Sequence, residues 1–312
     1  MGDYHFIVWR YGMSIYRATE ILYTLRVFRI PNLHSLFRKL YYLQRSIFIT
    51  YLNFFLPRLF RLALIEANSY SSIRKVWSFL TDQVSDIDMT RVGGNNDGGY
   101  FCPTDLSSIT TVFSPGYGGI KDFEDELGRL GKKIYICDPM YDHIPNLMES
   151  QDFDGIGLAA TSNADGLFLS LSDWIDSKVD SNTNHMLLQM DIEGAEWEIL
   201  LHSEAEVLRR FDVLLIEFHN LDRLVFDKNF LESAEILFAK LANDFTNIYC
   251  RANNCGGTFA YLLNKMPKVV EITLVKNSQL ELWRTLNPRQ PINDEDFSNN
   301  PSLPSLKLPS LS

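Results

Sequence analysis

The sequence predicts an α/β fold: a Rossmann-like, doubly wound sheet of seven strands with an antiparallel last strand, preceded by an N-terminal helical arm. Three observations carry this. Short apolar runs alternate with segments of helical periodicity from Ser72 to Val275, the pattern of βα units on a parallel sheet. The run Thr110-Thr111-Val112-Phe113 enters Ser114-Pro115-Gly116-Tyr117-Gly118-Gly119 and then a helical pattern, a strand, a glycine-rich turn and a helix. The last two strand-like runs, Asn247–Cys250 and Lys268–Val275, follow each other without a clear crossover helix, which favours antiparallel pairing.

At 312 residues with 46% apolar content the chain can bury a substantial core. It divides into a basic, aromatic arm (1–70), a body (71–287) and a tail (288–312) rich in Ser, Pro and Asn that reads as disordered. Charge follows the division. Nine cations face two anions through Ile65, a net +7, which leaves −17 on the rest of a chain whose total is −10. The acidic body argues against nucleic acid as a partner. Cys102, Cys137, Cys250 and Cys255 form no Cys-x-x-Cys pair, so free thiols in a reducing, cytoplasmic setting are expected.

In the arm, Leu33, Leu36, Phe37, Leu40, Leu43 and Ile47 recur at helical steps between Arg38, Lys39 and Arg45. Such a helix lies on anionic lipid, giving peripheral membrane contact through 1–65, or packs on the body or a second subunit. The uncharged run Ser46–Pro57 is too short to span a bilayer. Ser72–Val84 reads as a helix with Ile73, Val76, Trp77 and Leu80 on one face. The stretch Arg91–Tyr100, with two glycine pairs around Asn95-Asn96-Asp97, is either a loop that lets backbone approach a ligand or a hairpin turn.

After the glycine-rich turn, Phe123, Leu127 and Leu130 define the inward face of a helix ending at Gly131, and Lys133–Cys137 makes a second strand that ends on Asp138. An acid after the second strand suits a carboxylate that accepts ribose hydroxyls. Pro115 and Tyr117 interrupt the dinucleotide fingerprint, and the spacing suits an adenosine without a pyrophosphate. Gly155–Ala160 reads as the third strand, Ser172–Val179 as a helix, Asp212–His219 as the fifth strand and Asn229–Asn243 as a further helix.

The fourth strand, His185–Met190, leads into Asp191-Ile192-Glu193-Gly194-Ala195-Glu196-Trp197. Acids at the start of a helix cap it and favour its dipole, which accounts for Glu196. Asp191 ends an apolar run, where a charge needs a partner, and marks a site at the carboxyl ends of the strands. Glu217 and His219 share one face of the fifth strand by alternation, level with Asp191. Mg²⁺ or Mn²⁺ on Asp191, Glu217 and His219 is the alternative to direct acid–base work.

Strand order and end-of-strand acids suggest a class I S-adenosylmethionine methyltransferase. The residues go further. Arg91-x-Gly93 with Asn96-Asp97-Gly98-Gly99-Tyr100, Phe113–Gly116 with Asp122-Phe123-Glu124, Asp138-Pro139, Asp191-Ile192-Glu193-Gly194-Ala195-Glu196, Ile216–His219, Ala252-Asn253-Asn254 and Glu271-Ile272-Thr273 resemble the FkbM-type methyltransferases over Arg91 to Lys276. The chain resembles in particular the bacterial branch associated with polysaccharide and glycolipid genes. The resemblance implies S-adenosylmethionine as cofactor, with Ser114, Gly116, Gly118, Asp138 and Asp191 around it. It implies O-methylation of a sugar, glycan or glycolipid hydroxyl, with Asp191, Glu217 and His219 in the chemistry and Asp97, Tyr100, Glu193, Asn253 and Asn254 toward the acceptor. Relatives often carry His-x-His before the Asn pair, where this chain has Tyr249 and Arg251. The rival reading is a methyltransferase fold that serves as a non-catalytic, membrane-associated scaffold.

Overall fold

The computed structural model describes residues 6–10, 62–84, 86–262, 264–286 and 299–311. Of the arm it describes two strands, β1 (Phe6–Arg10) and β2 (Leu62–Glu66), paired antiparallel. The amphipathic stretch 33–47 lies outside the described residues. From residue 70 the elements are α1 (Tyr70–Thr81), β3 (Met89–Val92), β4 (Tyr100–Pro103), β5 (Thr111–Pro115), α2 (Asp122–Arg129), β6 (Lys133–Cys137), β7 (Gln151–Asp154), β8 (Gly157–Leu158), β9 (Phe168–Leu169) and α3 (Leu171–Lys178). Then follow β10 (Met186–Met190), α4 (Glu196–His202), α5 (Ala205–Leu208), β11 (Phe211–Phe218), α6 (Arg223–Phe226), α7 (Lys228–Asp244), β12 (Phe245–Ala252), β13 (Thr258–Tyr261), β14 (Asn264–Pro267), β15 (Val270–Lys276) and α8 (Leu280–Leu286).

Seven strands form the central sheet, in the order β12-β15-β11-β10-β5-β6-β7. β15 slots between β11 and β12 and runs antiparallel to both, while β11, β10, β5, β6 and β7 are mutually parallel. The expected seven-stranded sheet with its antiparallel last strand is therefore present. The chain order reverses between β5 and β10, so the crevice at their carboxyl ends is the switch point where such sheets bind ligands.

Burial explains why the strands lack polar alternation. All five residues of β10 and all eight of β11 are buried, as expected for strands covered on both faces. Met186, Leu188 and Met190 join one core with Trp77 of α1, Trp174 of α3, Leu200 of α4 and Phe238 of α7. Leu187 points the other way, toward Phe123 and Leu127 of α2 and the β3–β4 hairpin. Alternation along β10 thus divides side chains between two cores rather than between core and water.

Three expectations change. Leu130 is 61% exposed, not inward: α2 ends at Arg129 and Gly131 turns at φ +79°, so helical spacing no longer directs residue 130. The third sheet strand is Gln151–Asp154, not the run from Gly155. As an edge strand it tolerates polar residues, and Asp152 and Asp154 both pair with Lys178. Within the expected run, Gly157-Leu158 instead pairs with Phe168-Leu169 in a separate ribbon. The third change concerns the tail. Residues 299–311, which read as disordered, pack on the body: Asn254 Nδ2 donates to Asn300 O at 2.9 Å, Trp77 Nε1 donates to Pro309 O at 2.8 Å, and Leu311 enters the core.

Leu188 is fully buried in the centre of the sheet. Leu188→Ala is expected to lower the free energy of unfolding by about 2–5 kcal/mol, read by urea denaturation. Ile236→Ala, at a 61% exposed position of α7, is expected to change it by less than about 0.5 kcal/mol.

Candidate active site

A cleft of about 350 Å³ opens at the carboxyl ends of β5, β6 and β10. Its floor is the turn after β5. Asp191 N donates to Pro115 O at 3.2 Å and Gly116 N donates to Cys137 O at 2.9 Å, so the exits of three strands are tied together. Gly116 has φ +99°, and a Cβ there would fall 1.6 Å from Asp191 O. Only glycine fits this crossing. Gly118, at φ +55°, faces open space.

On one side of this floor Asp138 is oriented by two backbone donors. Gly118 N reaches Oδ2 at 3.1 Å and Met140 N reaches Oδ1 at 2.8 Å. Ile156, Leu158 and Phe168 provide apolar wall beside it. A carboxylate next to an apolar slot fits a ribose joined to a purine. The glycine cradle, the oriented Asp138 and this wall are what S-adenosylmethionine would require of the chain.

The other side is acidic, with Asp97, Tyr100, Asp191 and Glu193 on the lining. Tyr100, from the start of β4, donates its hydroxyl to Asp191 Oδ2 at 3.0 Å. The Arg91–Tyr100 stretch is a hairpin connection between β3 and β4, and its far end lines the cleft through Asp97 and Gly98. Both readings of that stretch therefore describe one loop. Burial pushes the Asp191 carboxyl up to about 6, against the pull of His219 and the Tyr100 hydroxyl.

Glu196, fully buried at the start of α4, accepts from Gly194 N at 2.8 Å, His219 N at 2.7 Å and His219 Nδ1 at 3.1 Å. Nδ1 also lies 3.2 Å from Glu217 O. Both partners only accept, so Nδ1 carries the hydrogen. Nε2 then faces Glu193 Oε2 at 3.5 Å, Glu217 Oε1 at 3.7 Å and Asp191 Oδ1 at 3.8 Å. Burial opposes charge on His219, but the bond to Glu196 and the surrounding carboxylates outweigh it and raise the pKa of the ring. Burial first, then Asp191 and Glu271, push the Glu217 carboxyl well above its ordinary range.

Asp191, Glu193, Glu217 and His219 are thus brought together, and Gly116, Gly118, Asp138, Asp97 and Tyr100 line the same cleft. Three predicted residues are placed elsewhere. Ser114 is fully buried beneath the floor, with its hydroxyl against Glu124 and Gln189. Asn253 donates to Glu217 Oε1 at 2.7 Å and so fixes that carboxylate from behind. Asn254 holds the tail through Asn300. Tyr249 packs on Phe101, and Arg251 donates to Asn299 Oδ1 at 2.7 Å and pairs with Glu271.

Glu124, Gln189 and Phe168 join the lining without having been read as site residues. Glu124 sat in the quoted Asp122-Phe123-Glu124 motif, a signal of its own. Gln189, the polar residue inside the apolar fourth strand, was a second. Phe168 carried none, because the parallel pairing of β9 with β8 brings it in from a distance.

No family model matches the chain, and no curated protein sequence matches it. Among solved structures it is similar to a variant of the 16S rRNA (adenine(1408)-N(1))-methyltransferase from Catenulisporales acidiphilia. That likeness has 8% identity and a TM-score of 0.28 over 62% of this chain and 98% of the other. It is also similar to a putative RNA methyltransferase from Pyrococcus horikoshii, at 11% identity and a TM-score of 0.27 over 65% of this chain and 97% of the other. At such values neither likeness adds to the fold read from the strand order, nor says what this chain acts on.

Burial raises the Glu124 carboxyl from 4.5 to about 7. The Ser114 hydroxyl has one hydrogen for two acceptors, so a neutral Glu124 completes the chain by donating to Ser114 while Ser114 donates to Gln189. A group that holds its proton more tightly when folded stabilises fully below its unfolded pKa, and loses that contribution as pH rises through its folded pKa. Wild-type stability is therefore expected to carry a falling component between pH 4.5 and about 7 that Glu124→Gln lacks. Urea midpoints at pH 5 and pH 7.5 for both proteins check this.

Proposed function

We propose that this chain is an S-adenosylmethionine-dependent O-methyltransferase whose acceptor is a hydroxyl of a sugar, glycan or glycolipid. The observation that carries the reading is the joining of Asp138, the Gly116 cradle and Asp191 along one cleft, with the apolar wall at one end and the acids at the other. With Asp138 and the cradle holding a cofactor, Asp191 would stand at the other end of the same cleft. S-adenosylmethionine supplies the methyl group as an electrophile when bound.

The chain's own residues have three tasks. Gly116, Gly118 and Asp138 hold and orient the cofactor, and Tyr100 and Asp191 stand where an acceptor would enter. Correct placement of two reactants is worth about 7–11 kcal/mol of barrier. The acceptor hydroxyl must also lose its proton. Asp191, with its carboxyl raised to about 6 and its side chain on the lining, is placed to take it at Oδ1, beside His219 Nε2 at 3.8 Å. A base of such pKa contributes about a hundred- to ten-thousand-fold. Glu217, behind His219 and outside the lining, supports the pair.

The acidic acceptor end disfavours a polyanion such as RNA, whose phosphates call for cations, and favours a neutral hydroxyl compound. The sugar class itself comes from the resemblance to FkbM-type enzymes. Peripheral membrane contact through residues 1–65 remains part of the proposal. Among the described residues no helix is long and apolar enough to cross a membrane.

Calorimetric titration with S-adenosylhomocysteine is expected to give micromolar binding to the wild type and at least roughly tenfold weaker binding to Asp138→Ala, from loss of a charge-assisted bond pair. Absence of wild-type binding overturns the reading. Asp191→Asn is expected to keep S-adenosylhomocysteine affinity within a few fold while methyl transfer to a sugar acceptor falls by about a hundredfold or more. Undiminished transfer would remove Asp191 from the chemistry.

A further inference from the structure

We propose that Asp191, Glu217 and His219 form a binding site for one divalent first-row cation of the Mn²⁺ class. One ligand atom from each lies within 4.8 Å of the others. His219 Nε2 stands 3.7 Å from Glu217 Oε1 and 3.8 Å from Asp191 Oδ1. These spacings exceed a hydrogen bond. The two His219 spacings are shorter than two metal–ligand bonds of about 2.2 Å laid end to end, and all three ligand atoms lie close enough together for one ion to sit among them.

Four further features support a cation rather than mutual contact. First, the Glu217 side chain is 5% exposed; Asn253 occupies Oε1, and Oε2 is buried with no partner. A buried carboxylate oxygen left this way carries a full desolvation cost. Second, among the described residues no lysine or arginine is paired with these acids: the ion pairs of Asp191, Glu193, Glu196 and Glu217 all go to His219. Third, His219 donates Nδ1–H to buried Glu196, the carboxylate–histidine arrangement that fixes a metal-binding imidazole with its other nitrogen free. Fourth, each carboxylate is oriented from outside the group, Asp191 by Tyr100 and Glu217 by Asn253.

The ligand set selects the ion. Two carboxylates with one imidazole suit Mn²⁺ and its neighbours better than Ca²⁺, which takes oxygen alone. The exposed Glu193 carboxylate, 3.5 Å from Nε2, is within reach as a further ligand. The site rests on these ligands alone. Its role, to bind and polarise the acceptor hydroxyl at the acidic end of the cleft, rests on the reaction proposed above, and in the cation-bound enzyme Asp191 Oδ1 serves as a ligand and not as the proton acceptor.

The test uses the full chain, freed of metal by dialysis against a chelator and titrated with Mn²⁺ while the spectrum of aqueous Mn²⁺ is followed by electron paramagnetic resonance. About one equivalent is expected to bind in the micromolar range. Glu217→Gln and His219→Gln are each expected to weaken binding by at least roughly tenfold, and Glu206→Gln, an exposed and distant carboxylate, to leave it unchanged. Mn²⁺ is also expected to raise the thermal midpoint of the wild type but not of the two site variants. A wild type that leaves the aqueous signal intact at millimolar Mn²⁺, or site variants that bind as the wild type does, overturns the site. A parallel S-adenosylhomocysteine titration separates the two ideas. Its binding without Mn²⁺ binding removes the cation and keeps the methyltransferase, whereas Mn²⁺ binding alone keeps the cation site and removes the methyltransferase.

Discussion

The buried carboxylate of Glu196 is the interaction on which the site depends. It closes on Gly194 N and on both the backbone and the ring of His219, so it binds the turn after β10 to the end of β11. Two elements that are only neighbours in the sheet become one rigid corner. The turn it holds is strained: Glu193 has φ +56° and Gly194 has φ +110°. A left-handed glutamate is costly, and three charge-assisted bonds offset that cost. Trp197 adds to the corner by donating Nε1 to His219 O at 2.7 Å.

From this corner the chemistry of the cleft follows. Fixing Nδ1 as a donor commits Nε2 to the acidic group formed by Asp191, Glu193 and Glu217. The same turn lets Asp191 end its strand against Gly116, where no side chain fits. The acidic end and the glycine floor are therefore two consequences of how β10 exits the sheet. Concentrated like charge in a partly buried place costs stability, and such cost gathers at functional sites.

The fold is legible in the sequence to different depths along the chain. β6 and β10 could be delimited closely because their apolar runs end on acids and glycines. β7 was missed because an edge strand need not be apolar, and Gln151–Asp154 has no periodic signature. Asn253 and Asn254 were drawn toward the acceptor by a motif, yet their partners are Glu217 and the tail. Composition made residues 299–311 a disordered tail, although Pro309 and Leu311 find Trp77 and the core. A low-complexity segment can be ordered by contacts that its own composition does not record.

The sequence by itself determined the α/β class, the glycine turn after β5, the antiparallel last strand and the acids at strand ends, because local chemistry dictates each of them. Hydrophobic runs must be buried, glycines permit close crossings, and a carboxylate ending such a run needs a partner. Only the tertiary structure decided which of those groups meet. Asp191 and Glu217 lie far enough apart in the chain that parallel β10–β11 pairing, with Met190 beside Ile216, is what brings their ends level. The orientation of His219 was decided there too, since the buried carboxylate that sets its tautomer, Glu196, belongs to helix α4 while His219 follows strand β11.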